Sequence, residues 1–362
     1  VAAIAWRTLP LWLALAALVG GAYWLTAGLG YGVTGFPLDD AWIHQTYARN
    51  LATTGQWAFV PGQTSAGSTS PLWCLLLSPG YRLGIPYQVW TYGLGILILG
   101  LTGWTAARLG AWLFPTKPSV GPLAGLFCVL EWHLVWAAVS GMETMLYVWL
   151  SLLLVSVWQT TDDQRPPTAG RRWSSVIGRS SPVIIGFVGG LLALTRPEGL
   201  GLVGLIGLAA GWRLRRSPVR LLRTWVAMGA GLALPLVPYL AFHYTTTGLP
   251  FPNTFYAKQE EYRAAITLDP LWRRWLTMAG VTLVGGQVLL LPGFVVAIWR
   301  SIFTDEKPVF SEKTGFYRVI SNLQPPTSNL LLPAAYWFLH LTLYALRLPV
   351  TYQHGRYQIP VI

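Results

Sequence analysis

Apolar runs long enough to cross a bilayer alternate along this chain with short polar segments. Runs at 9–29, 87–113, 119–139, 143–158, 182–196, 197–211, 224–242, 277–300 and 328–346 predict about nine transmembrane or re-entrant helices, since a spanning helix needs roughly 20 apolar residues. Segment 30–86 has a different character. After Pro37, the residues Ile43, Tyr47 and Leu51 recur at i, i+4 and i+8. That spacing predicts an amphipathic helix lying at the membrane interface. The fold class is therefore an all-α polytopic membrane protein, a single domain over 1–362 with 30–86 as its first outer loop. The run Leu9–Gly28 is too long for a signal-peptide core and is followed by further spans, so it reads as a retained helix. The chain opens at Val1 without Met and stops at Ile362 within an apolar stretch. On that reading it is expected to be truncated at its C-terminus.

Composition sharpens the picture. Of 362 residues, 53% are hydrophobic and only 10% charged, against about 25% charged in soluble domains. Twenty Trp and sixteen Tyr suit aromatic belts at two interfaces. The net charge of +12 would suggest nucleic acid in a soluble protein. Here the Arg residues cluster in short loops between spans, where they orient the chain, and no nucleic-acid partner is expected. Cys74 and Cys128 form neither a disulfide framework nor a metal pattern, and both read as packing residues.

Two loops fix the orientation. Residues 159–181 carry Arg165, Arg171, Arg172 and Arg179, and residues 212–223 carry Arg213, Arg215, Arg216, Arg220 and Arg223 with no acid. Basic short loops stay cytoplasmic. With both inside, 182–211 becomes a hairpin whose bend, Thr195-Arg196-Pro197-Glu198-Gly199, points outward. Its two arms are short for spans, so the bend is expected within the membrane, lining a cavity. Alternation then places 30–86, 139–143, 195–199, 243–276 and 347–358 on the outer side. These segments hold nearly every polar cluster that the basic loops leave unexplained, and one outward-facing site follows.

In that site, Asp39 and Asp40 open the interfacial helix. One of them would suffice as a cap; two adjacent carboxylates directly after a span point to function. His44, four residues after Asp40, could share a divalent metal with it, or could be a hydrogen-bonded interfacial residue. Glu143 begins a span, where the macrodipole also favours an acid. Glu131 and His133 are expected to face the protein interior. Arg196 and Glu198 flank Pro197, either as an ion pair closing the turn or with Arg196 binding an anion. Farther on, Asn253, Tyr256 and Lys258 follow Pro252, and His354 and Arg356 stand among aromatics. Arg196, Lys258, His354 and Arg356 together suit a phosphate-bearing ligand, with Arg offering bidentate contacts.

Asp39-Asp40-Ala41-Trp42-Ile43 through Leu51, followed by Thr69-Ser70-Pro71-Leu72-Trp73, resembles the first outer loop of the C-type integral-membrane glycosyltransferases. The chain is most similar to the bacterial branch holding the mycobacterial arabinofuranosyltransferases, with kinship to protein O-mannosyltransferases and the lipid A aminoarabinose transferase. The blocks at Ser140–Thr144, Leu194–Gly199, Pro252–Lys258 and Gly355–Pro360 resemble that branch in the same order. Ala66 and Ser68 depart from it, standing where an acid and an aromatic are expected.

The resemblance implies a polyprenyl-phosphate sugar donor, used on the outer face of the bacterial cytoplasmic (inner) membrane. It implies a glycan, lipid or protein acceptor, inversion at the anomeric carbon, and an acid of the first outer loop as base. Asp39 takes that role, and Asp40 orients the acceptor or holds a metal. His44, Glu143, Glu198, Asn253 and Tyr256 are the expected substrate contacts, and Arg196, Lys258, His354 and Arg356 the donor-phosphate contacts. Two other classes share part of the pattern. A lipid or solute transporter also uses intramembrane acids and a broken hairpin. A catalytically inactive subunit of a larger membrane complex could keep the whole fold.

Overall fold

In a computed structural model, the residues described are 6–32, 35–65, 67–161, 172–248, 257, 260–303, 328–349 and 357–359. The side chains of Tyr31, 160–161, 172–181, 297, 300–303 and 328–330 are outside that description. Asn253, Tyr256, Lys258, His354 and Arg356, all expected at the site, lie outside the described residues.

The described chain is overwhelmingly helical. Helix α1 (Leu9–Tyr31) leads through the outer loop to α4 (Tyr87–Leu113), and the two pack together. Next come α5 (Val120–Leu130), α6 (Trp132–Ala138), α7 (Thr144–Thr161), α8 (Arg172–Thr195), α9 (Gly199–Leu214) and α10 (Pro218–Thr247). The described chain closes with α11 (Arg263–Leu268), α12 (Leu271–Val281), α13 (Leu291–Phe303) and α14 (Ser328–Arg347). The first, fourth and tenth helices are each long and apolar enough to cross a membrane, and two bent pairs pass the same test as broken spans. The polytopic membrane class read from the apolar runs is the class observed.

Small residues set the helix spacing. A Cβ added at Gly186 of α8 would lie 1.9 Å from the Met228 carbonyl of α10, and one at Gly231 would lie 2.1 Å from the Val183 carbonyl. Only glycine allows these backbones to approach so closely, which is how helices gain contact where lipid supplies no hydrophobic drive.

The breaks are specific. The span expected at 119–139 bends by 58° where α5 gives way to α6, and the one at 277–300 turns by 96° between α12 and the segment 286–296. Glu131 sits at the first break and caps α6, its side chain accepting from the Leu134 amide at 3.0 Å. Glu131 also accepts from Gln287 Nε2 at 2.7 Å and pairs with His133 Nδ1 at 2.7 Å, so one carboxylate staples the two breaks together. Glu131 and His133 are buried, as expected of interior-facing residues.

Two readings need correction. The helix before residue 196 begins earlier than expected: α8 has 24 residues and starts at Arg172, ten residues before the apolar run, although its apolar part, Pro182–Thr195, and α9 are both short, as expected. Arg and Ser between 172 and 181 mark a loop by hydropathy, yet Arg is a good helix former and the helix continues through them. The first outer loop also differs. Helix α2 (Asp39–Thr54) forms where expected, but the buried face is Ala41, His44, Gln45, Tyr47, Ala48 and Asn50. Ile43 and Leu51 of the apolar stripe are only half-buried. The helix docks through small and polar residues on α3 (Pro71–Arg82), so protein contacts decide its orientation. Between them lies a short hairpin of β1 (Ala58–Val60) and β2 (Gln63–Thr64), fastened by Asn50 Nδ2 donating to the Ala58 and Phe59 carbonyls.

Candidate active site

Four of the five segments expected on the outer side meet in one buried polar cluster. Its centre is Arg196, at the bend between α8 and α9. The Arg196 guanidinium donates from Nη1 to Glu143 Oε1 at 3.2 Å and from Nη2 to Glu198 Oε1 at 3.4 Å and to the Tyr344 hydroxyl at 2.7 Å. Tyr344, near the end of α14, also donates to Glu198. The ring of Tyr357 lies 4.8 Å from the guanidinium carbon. Arg196 and Glu143 are 7% and 3% exposed, so these are charges withdrawn from water and held by one another.

Glu143 carries the cluster into the first outer loop. Its second oxygen, Oε2, is 3.1 Å from His44 Nε2, and His44 Nδ1 is 3.6 Å from Cys74 Sγ. Burial pulls the His44 pKa down, but the hydrogen bonds to Cys74 and Glu143 outweigh it and push the value up to about 10. His44 is therefore an imidazolium at neutral pH, paired with a carboxylate. Cys74 in turn lies 3.2 Å from Ser68 Oγ.

Local sequence explains why α2 sits where it does. Phe36 and Leu38 are buried just before the helix. Phe36 packs against Trp42, Tyr87 and Tyr92 at ring separations of 5.3, 5.8 and 5.4 Å. Gly141 has φ +81°, and a Cβ there would lie 2.5 Å from the Phe36 ring, so glycine is needed on both counts. The Gly141 carbonyl accepts from Trp73 Nε1 at 3.0 Å, and Ser70 Oγ donates to the Thr195 carbonyl at 2.7 Å. The first loop is thus bolted to the start of α7 and to the α8–α9 bend by separate bonds.

Asp39 stands at the first turn of α2 and is exposed, with Oδ1 accepting from the Asp40 amide at 2.9 Å. It makes no side-chain cap hydrogen bond, and the N-cap position belongs to Leu38. Asp40 is half-buried beside it. Metal sharing between Asp40 and His44 does not fit this arrangement, because both ring nitrogens of His44 are engaged inward by Glu143 and Cys74. Among the described residues, no group of three or more His, Cys, Asp and Glu side chains is arranged to hold a metal ion.

Of the expected site residues, His44, Glu143, Arg196 and Glu198 come together directly. Asp39 and Asp40 share a helix with His44 alone. Tyr344, Tyr357, Cys74, Ser68 and His340 were not singled out for the site. Ser70 and Trp73 fall within the Thr69–Trp73 block and Tyr357 within Gly355–Pro360, whereas Tyr344 sits in an aromatic-rich run whose composition gives no sign of a polar partner. His340 Nε2 donates to the Tyr357 carbonyl at 2.7 Å, and its ring lies tilted 4.9 Å from that of Tyr344, backing the cluster from behind.

The bundle, its broken spans and its helical first loop together make a fold that is also found in a solved membrane protein. The crystal structure of ArnT from Cupriavidus metallidurans bound to undecaprenyl phosphate is similar, with a TM-score of 0.56 at 15% sequence identity. The likeness covers 97% of this chain and 57% of that one, so this chain spans a little over half the length of that relative. At that identity the likeness shows the fold. No protein-family model matches the chain, and no curated protein does.

Proposed function

We propose that this protein is a glycosyltransferase that moves a sugar from a polyprenyl-phosphate donor to an acceptor hydroxyl on the extracytoplasmic side of the membrane. The observation that carries the reading is the placement of Asp39. It is an exposed carboxylate on α2, and that helix is locked through His44 to Glu143 and Arg196. The likeness in fold to a protein crystallised with undecaprenyl phosphate supports a lipid-phosphate donor.

The chemistry asks little of the protein beyond what these residues offer. Asp39 accepts the proton of the acceptor hydroxyl as its oxygen attacks the anomeric carbon. The bond from that carbon to the phosphate oxygen breaks, and the polyprenyl phosphate leaves with the electron pair. Attack opposite the leaving group inverts configuration. Asp40 orients the acceptor. The phosphate's developing charge falls to cations of the outer segments, for which the sequence supplies Lys258, His354 and Arg356. A panel of polyprenyl-phosphate pentoses and hexoses incubated with the purified protein tests the reading. Release of polyprenyl phosphate with one of them, dependent on acceptor, is the expected result; no release with any donor would count against it.

A further inference from the structure

The cluster holds more order than a phosphate anchor needs. We infer that Arg196 is a positioning residue, which holds the Asp39-bearing helix in register with the last described helix of the bundle. Its catalytic consequence rests on the function proposed above.

Charge balance argues first. A side chain that anchors a phosphate must offer positive charge that is not already spent. Arg196 faces two carboxylates, Glu143 at 3.2 Å and Glu198 at 3.4 Å, and both are largely withdrawn from water. With the His44 imidazolium on the other oxygen of Glu143, the cluster is neutral overall, so a phosphate brought to Arg196 would find no surplus positive charge there. Arg196 is also wrapped: Tyr344 takes a further N–H and the Tyr357 ring covers the guanidinium.

Connectivity argues second. The partners of Arg196 come from separate parts of the chain: Glu143 at the start of α7, Tyr344 near the end of α14, and Tyr357 beyond it. Through the other oxygen of Glu143 the connection reaches His44 on α2. Asp39 lies five residues earlier on the same helix, about 7.5 Å along its axis. A helix of this length moves as a rod, so a shift at His44 becomes a shift at Asp39. Misplacing a reacting group by about 1 Å can lower a rate by about 10²-fold. An arginine suits this task, because its fixed fork sets the angle between two carboxylates as well as their distance.

The test combines a distance with a kinetic split. Spin labels at Arg49→Cys on α2 and Leu346→Cys on α14, in a Cys128→Ser background, report the separation of the two helices; both sites are exposed. Arg196→Met is compared with the double variant Arg196→Met/Glu198→Gln, which removes one charge of each sign and leaves the His44–Glu143 pair intact if the single change fails to fold. A broadened 49–346 distance in the folded variant is the expected result. It should come with kcat reduced by about 10²-fold and a donor KM within about threefold of wild type. An unchanged distance would overturn the inference. So would a donor KM that rises while kcat holds, since that pattern gives Arg196 to the phosphate. Should the wild-type protein turn over no polyprenyl-phosphate sugar, the proposed function fails, and the distance measurement still decides the positioning role.

Discussion

Arg196 and Glu143, 53 residues apart in the chain, are joined by a hydrogen bond of 3.2 Å between Nη1 and Oε1. That bond ties the α8–α9 bend to the start of α7, and the same carboxylate reaches His44 in the first outer loop with its other oxygen. Burial of a single charge at this depth would be unfavourable. Burial of several is tolerated because each is answered by another.

Removal of one partner should therefore be worse than removal of charge from all. Glu143→Ala leaves Arg196 and His44 facing each other without their shared carboxylate. The expected loss is about 3–5 kcal/mol of stability, as for other broken buried pairs. Thermal unfolding in detergent measures it, and Glu143→Gln, which keeps the shape and one acceptor, should lose less.

The His44–Glu143 pair makes stability depend on pH in a defined direction. The His44 pKa in the folded protein is about 10, above its ordinary 6.5. A raised pKa means that the folded state holds the proton more tightly than the unfolded state. The contribution is complete below the ordinary value and is lost as pH rises through the folded one. The unfolding temperature should fall between about pH 7 and about pH 10, and His44→Gln should flatten that part of the profile. A wild-type profile as flat as that of His44→Gln would contradict the pairing.

Much of this architecture could be read from the sequence. Apolar runs placed the spans, and the basic loop Arg213–Arg223 placed the bend at Arg196 on the same side as Glu143 and the first loop. Alternation put His44, Glu143, Arg196 and Glu198 on one side, but the hydrogen bonds that join them are set by tertiary packing. What could not be read are the details that tertiary packing decides. The Ile43/Tyr47/Leu51 stripe suggested lipid contact for α2, but α3 supplies a protein surface that takes Ala41, His44 and Ala48 instead. The breaks at Glu131 and Gly285 escape a window-averaged hydropathy profile, in which a bent pair is as apolar as a straight helix. Tyr344 gave no signal, since a Tyr with a buried acidic partner looks in sequence like any belt Tyr.

The topology predicts sidedness. Cysteines placed at the exposed positions Asp39, Arg49 and Arg263 should react with a membrane-impermeant maleimide added to intact cells. Cysteines at Arg215 and Arg216 should react only after the membrane is opened. Labelling of position 39 or 263 solely from the cytoplasmic side would reverse the scheme.

Close packing between α8 and α10 is also testable. Gly231→Val would drive a side chain against the Val183 carbonyl, already 2.1 Å from where the first added carbon would sit. Backbone cannot yield there as a flexible side chain would. A loss of at least about 1–3 kcal/mol is expected, seen as a lower unfolding temperature, whereas Gly229→Ala, with nothing within 4 Å, should be close to neutral.

Turnover in Asp39→Asn tests the central claim most directly. The substitution keeps the size and first-turn position of the side chain and removes only its capacity to accept a proton. Asp39 is exposed and holds no buried partner, so expression and unfolding temperature should match wild type. Transfer from the polyprenyl-phosphate donor identified with the wild-type protein should fall by about 10²–10⁴-fold, the usual contribution of a general base. Near-wild-type turnover in Asp39→Asn would contradict the account of the first outer loop as the catalytic element.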